Sequence, residues 1–209
     1  MTLPLPEAGI DLYWIPLGAG GWFVRMNGRI YEAITSLVER RRPLRLFHTA
    51  LVVRVPEGRF IIENSWPIPD DHGVLRGVVI EGPVWSRRWA RLRVLRYEVR
   101  RWRDGTIFDA DEAVAGPQRV SDDLGQARLL LDLVASVPRL VWGRDEMRTG
   151  DMWNSNSVIS WLLAGSGHSM EAIHPPAGGR APGWEAGLAV ARRGLQGKVK
   201  SPMASRPAT

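Results

Sequence analysis

The clearest pattern of apolar and polar positions lies in "LFHTALVVRVPEGRFIIENSW", where two β-branched and aromatic runs flank Pro56-Glu57-Gly58. This pattern predicts a β-hairpin. With Glu57 and Gly58 as a two-residue turn, Arg54 would face Ile61 and Val52 would face Glu63. The two-residue period then sets His48, Ala50 and Val52 on one surface, with Glu63 and Ser65 on the same surface of the partner strand. Upstream, "IDLYWIPLGAGGWFVRMNGRIYEAITSLVERRRP" predicts a short strand, a glycine-rich connection and a helix over Gly28–Arg41. Ile30, Ile34, Leu37 and Val38 recur at helical spacing there, and Pro43 ends the pattern. The "GAGG" stretch lacks the lysine and spacing of a phosphate-binding loop.

Downstream, "GVVIEGPVW" predicts a third strand and the arginine-rich run Ser86 to Arg103 a fourth, although its alternation is only partial. A polar loop follows, and "SDDLGQARLLLDLVASVP" predicts a helix begun by Ser121 or Asp122 and closed before Pro138. "NSNSVISWLLAGSG" predicts another helix, from Ser157 to about Ala164, stopped by Gly165. The Pro/Gly-rich "IHPPAGGRAPGW" leads to "EAGLAVARR", read as a last strand, and from Gly194 onward the composition is that of a disordered tail. Central strands with helices toward both ends predict one domain over residues 1–193. Its class is α+β, an antiparallel sheet of about five strands packed with helices.

Composition narrows the chemistry. The chain has 209 residues, 44% hydrophobic and 24% charged, as ordinary globular proteins do, and it contains no cysteine. A disulfide framework, a thiolate zinc site and a cysteine nucleophile are therefore excluded. No apolar run approaches the roughly 18 residues of a membrane span, and the N-terminus lacks the features of a signal peptide, so a cytoplasmic protein is expected. The net charge of +6 is carried by arginine, since Lys198 and Lys200 are the only lysines. Arginines interleaved with aromatics in the run Ser86 to Arg103 can bind nucleic acid through phosphate contact and stacking. No nucleic-acid motif accompanies them, which favours a solvated strand face instead. Neither a metal nor a cofactor is expected. Asp70, Asp71 and His72 are adjacent, and side chains adjacent in one turn rarely converge on a cation, so a polar loop is expected there; His168, Glu171 and His174 lack the i, i+4 spacing of a zinc helix.

The chemistry that remains centres on Asn154-Ser155-Asn156-Ser157. Each of these is a good helix cap, yet a hydroxyl at a helix N-terminus also sits beside unpaired amides and the positive end of the helix dipole, which favour a nucleophile and an oxyanion. A histidine on a neighbouring strand could take the proton, and a carboxylate could orient the imidazole. The order of His48 in "FHTALVV", Glu63 in "FIIEN" and Asn156-Ser157 opening a C-terminal helix resembles the circularly permuted papain-like group. That group belongs to the NlpC/P60 superfamily and includes lecithin:retinol acyltransferase relatives and bacterial permuted amidases. Here serine stands where the group has cysteine, and a serine hydroxyl depends almost entirely on its base.

The resemblance implies a permuted papain-like fold and a hydrolase or acyltransferase acting on an amide, ester or thioester. Ser157 would be the nucleophile, His48 the general base and Glu63 the orienting carboxylate, with Ser155 and Glu81 as second choices for nucleophile and carboxylate. The backbone amide of Ser157 would belong to the oxyanion hole, capped by Asn154, Ser155 and Asn156. Trp153 and Trp184 would line an apolar groove for a peptide, lipid or other acyl-bearing substrate, with Arg180 meeting a carboxylate or phosphate. A second reading keeps the fold without the catalysis, as a peptide- or lipid-binding module, and a third is a nucleic-acid binder using the arginine-rich run.

Overall fold

The β-rich runs of the hairpin form β2 (Arg45–Val55) and β3 (Gly58–Ser65), paired antiparallel from Val55↔Gly58 to Leu51↔Ile62. The turn residues are thus Pro56 and Glu57. Arg54 meets Arg59 rather than Ile61, a register two residues from the predicted one. Gly58 adopts φ +142°, a conformation that only glycine takes easily, and so begins β3, while Pro56 supplies the fixed φ that opens the turn. A slip of two leaves every side chain on its face.

A computed structural model describes residues 8–17, 40, 42–67, 77–107 and 109–199. The body of the helix predicted over Gly28–Arg41, the "GAGG" connection and the Asp70-Asp71-His72 turn lie outside the described residues. On one side of the hairpin β5 (Arg96–Arg103) joins β3, and β4 (Val78–Pro83) joins β5. On the other side β1 (Gly9–Pro16) joins β2, and β6 (Gln118–Ser121) joins β1. A two-residue strand, β7 (Gly179–Arg180), pairs parallel with the start of β2. The order is β4-β5-β3-β2-β1-β6, seven strands with β7 rather than about five. The additional strands β6 and β7 are four and two residues long, too short to show a periodic pattern.

Among the described residues three α-helices pack on one face of this sheet: α1 (Leu124–Leu133), α2 (Ser155–Gly165) and α3 (Trp184–Val199). The last corrects the strand predicted for "EAGLAVARR", and it runs on through residues 194–199, the start of the predicted tail. Trp184, Leu188 and Ala191 are buried at i, i+4 and i+7 while Glu185, Arg192 and Arg193 are exposed, a helical period rather than an alternation. The arginine-rich run also differs from its expectation. It makes two 3-10 turns, Arg87–Arg91 and Arg93–Leu95, and only then the strand β5.

Two cores result. The larger joins Leu12, Trp14, Phe47, Leu51, Val53 and Ile62 to the helices, and a smaller one gathers Ile15, Ala50, Val52, Ile61 and Ile107 on the opposite face. α2 is the central helix, buried on almost every side. It lies between the sheet and α3 because Gly187 of α3 has no side chain: a Cβ there would stand 2.1 Å from the Ser157 carbonyl oxygen.

Candidate functional site

The polar residues at the start of α2 are joined in one buried network. Asn154 is the N-cap, its side-chain oxygen accepting from the amides of Asn156 (2.9 Å) and Ser157 (3.4 Å). The Ser157 hydroxyl accepts from the Asn154 amide at 3.0 Å, completing a reciprocal capping box. Its own proton goes to the Gly183 carbonyl at 2.7 Å, with the Met152 carbonyl also within reach at 3.1 Å. Asn156 accepts from the Thr49 hydroxyl (2.9 Å) and donates to the carbonyls of Phe47 (2.9 Å) and Pro182 (2.8 Å). Helix, central strand and the turn before α3 are therefore tied together by side chains. Asp151 completes the tie, accepting from the Gly183 amide at 2.6 Å, and burial raises its pKa against those hydrogen bonds.

The structure does not bring the predicted triad together. Along β2, Phe47, Thr49, Leu51 and Val53 face the helices, whereas His48, Ala50 and Val52 face the other way. His48 is consequently on the opposite side of the sheet from Ser157, and its Nε2–H donates to Asp109 Oδ2 at 3.2 Å. The physical reason is the two-residue period of a strand: the residue aimed at α2 is the neighbouring Thr49. Glu63 does share the face of His48, but it accepts from Arg100 Nη1 at 3.4 Å. Glu81, on the sheet's far strand, is paired with Arg96 at 2.7 Å.

Ser157 is 0% exposed and Ser155 is also buried, so neither hydroxyl is open to a substrate. Trp153 and Trp184 are buried core residues: Trp153 borders only a small crevice with Leu140 and Met147, and Trp184 packs on Trp14 with ring centroids 5.0 Å apart. Arg180 sits in β7 opposite Leu46. The arrangement is chemically that of a structural lock, with hydroxyl and amide groups spent on backbone partners.

Thr49, Asp109, Asp151 and the buried ion pair Glu98–Arg100 were not singled out in the sequence. One signal could have found Thr49. Apart from Arg45 and Thr49 itself, the odd positions of β2 are all large apolar residues, Phe47, Leu51, Val53 and Val55, whereas the even positions mix Leu46, Ala50 and Val52 with His48 and Arg54. The odd set is therefore the better candidate for the helix-facing one.

On the second face, the hydrogen bond from His48 holds the Asp109 carboxyl below the usual carboxylate range, against its partial burial. A depressed carboxylate contributes stability above its unfolded pKa, and that contribution is lost as pH falls through the folded value. Glu63 has the opposite sign. Burial raises its pKa although Arg100 pulls it down, so its contribution is present at low pH and lost as pH rises. We predict that Asp109→Asn destabilises the fold at neutral pH, with a deficit that shrinks as pH falls below the ordinary carboxylate range, whereas Glu63→Gln is no less stable than wild type at neutral pH. Denaturant midpoints across the acid range measure both, and an Asp109→Asn deficit that persists unchanged in acid would refute the assignment.

No protein-family model, curated protein or solved structure matches this chain, so its functional reading rests on the geometry of the site itself.

Proposed function

We propose that the chain is a non-catalytic binding domain on a permuted papain-like scaffold. The scaffold reading is supported by the antiparallel sheet and by an Asn-Ser pair at the start of a central helix whose N-terminus is bonded to β2. One observation carries the rest: the Ser157 hydroxyl is fully buried and saturated by Asn154, Gly183 and Met152, while the only histidine on β2 is beyond the sheet. A nucleophile needs a base within hydrogen-bond reach and a path for substrate. On the helix side of β2 the position next to α2 is Thr49, which has no basic nitrogen.

On this reading the hydrolase or acyltransferase activity implied by the resemblance is not performed. A fluorophosphonate probe leaves the folded protein unlabelled. Ser157→Ala lowers unfolding stability by about 1–2 kcal/mol, as loss of a buried helix cap does. Stoichiometric labelling that disappears in Ser157→Ala would restore the catalytic assignment and overturn this one.

A further inference from the structure

Between β4 and β5 the chain makes a ten-residue tip, Trp85 to Val94, closed at its base by a 2.9 Å bond from the Val84 amide to the Leu95 carbonyl. Neither of its 3-10 turns buries a single residue. Trp85 is 66% exposed, Trp89 58%, Leu92 56% and Val94 73%. Isolated exposed apolar side chains are ordinary, but four large ones within ten residues form a patch that folding does not use.

The tip is nonetheless an ordered protrusion. The Trp85 amide donates to the Trp142 carbonyl at 3.1 Å, Ser86 caps the first turn through the Arg88 amide, and Arg96 Nε reaches back to the Ala90 carbonyl at 2.6 Å. Trp85 is held at φ +58°, a left-handed conformation uncommon for a bulky residue, while most of its ring stays in solvent.

Charge defines the partner further. No acidic residue occurs from Gly82 to Tyr97, and the same ten residues carry Arg87, Arg88, Arg91 and Arg93. Arg87 is paired with Glu146 and Arg93 comes within 3.8 Å of Glu98. Arg88 and Arg91 are exposed, with no acidic partner among the described residues. An occupant must therefore offer both fixed negative charge and apolar volume to the same ten-residue tip. The interface of an anionic bilayer does so, with phosphates for arginine, the headgroup level for indole rings and the acyl boundary for aliphatic side chains. Single-stranded nucleic acid would engage the arginines and tryptophans but gives Leu92 and Val94 nothing apolar to contact.

We propose that the tip formed by Trp85, Trp89, Leu92 and Val94 with Arg88 and Arg91 docks this domain on the surface of anionic phospholipid membranes. This rests on the reading of the chain as a binding domain. The full chain is tested by co-sedimentation with phosphatidylcholine vesicles made with and without phosphatidylglycerol, at low and high salt. Binding is expected only with the anionic lipid, and it weakens as salt rises.

Leu92→Ser with Val94→Ser should lower vesicle affinity about tenfold or more, since each removes apolar area from the acyl boundary. Arg88→Glu with Arg91→Glu should lower it at least about twentyfold, each arginine near the surface being worth roughly fivefold. All four side chains are exposed, and circular dichroism melts should match wild type. The proposal fails if anionic vesicles are not bound, if either double variant binds as wild type does, or if zwitterionic vesicles bind equally. A single-stranded oligonucleotide bound more tightly than the vesicles, with unchanged affinity in the Leu92→Ser/Val94→Ser variant, would replace it with nucleic-acid recognition. Failure of the non-catalytic reading is scored separately, by the fluorophosphonate probe.

Discussion

Glu98→Gln should lower the unfolding free energy by about 3 kcal/mol, near the lower end of the cost of breaking a buried ion pair. Arg100 is only 2% exposed in its side chain and Glu98 only 3%, and Glu98 Oε2 accepts from Arg100 Nη2 at 2.5 Å and from Nε at 3.1 Å. The two lie on the same face of β5 because they are two residues apart. Substituting glutamine keeps the shape and removes the charge, so a guanidinium stays buried without its main counter-ion. Glu63, 3.4 Å from Nη1, and the Trp66 carbonyl, 3.3 Å from Nη2, remain as partial compensation. That compensation is why the lower end is expected.

A companion variant separates the cost of a broken pair from the worth of an intact one. Replacing both residues by methionine removes the stranded charge, and buried pairs exchanged for apolar groups of similar volume commonly lose little. Glu98→Met/Arg100→Met should therefore be more stable than Glu98→Gln alone, in urea titrations that compare midpoints at constant slope. A single-variant loss below about 0.5 kcal/mol, the size of an exposed pair, would show that water reaches Arg100 and that the second face is open.

The sheet's centre was legible because β2 and β3 are long enough to show a pattern and carry a glycine at a place where the backbone requires one. The α+β class followed from it. Local pattern failed where the chain's conformation is decided by distant partners. "EAGLAVARR" has alanine or glycine at four of its nine positions, and whether alanine and glycine face a strand or a helix depends on what packs against them. Gly187 shows this most directly, because its role is to let the Ser157 backbone approach.

"SRRWARLRVLR" carries apolar residues that no core claims, so their spacing encodes no buried face. The same limit explains the candidate site. His48, Glu63 and Ser157 are each one residue away from positions on the helix side of the sheet or at the strand contact, namely Thr49, Asn64 and Asn156. An error of one residue in a strand inverts the face completely. The polar lock is thus displaced by one position from the chemistry that the motif implies.

Asn156→Ala provides the sharpest test of that lock, with an expected loss of about 3–4 kcal/mol from three hydrogen bonds and the orphaned groups they leave. Asn156 is 1% exposed and bonds Thr49, Phe47 and Pro182, two of them residues more than a hundred positions away in the chain. Removing its amide leaves the Phe47 carbonyl and the Thr49 hydroxyl buried without partners, while the Pro182 carbonyl keeps a 2.8 Å bond from Asn154 Nδ2.

Asn156→Asp is the stricter variant, since it preserves size and the acceptor for Thr49 but turns both donors into acceptors that face carbonyl oxygens. It should cost more than alanine at neutral pH. Such a carboxyl has its folded-state pKa raised by burial and by the facing oxygens, so the deficit should shrink as pH falls and one donor returns. Thr49→Val removes a single partner and should cost about 1 kcal/mol, less when Asn156 is already alanine. An aspartate variant as stable as wild type at neutral pH would mean that the start of α2 is hydrated and accessible. In that case Ser157, too, would have to be reconsidered as a group that can meet a substrate.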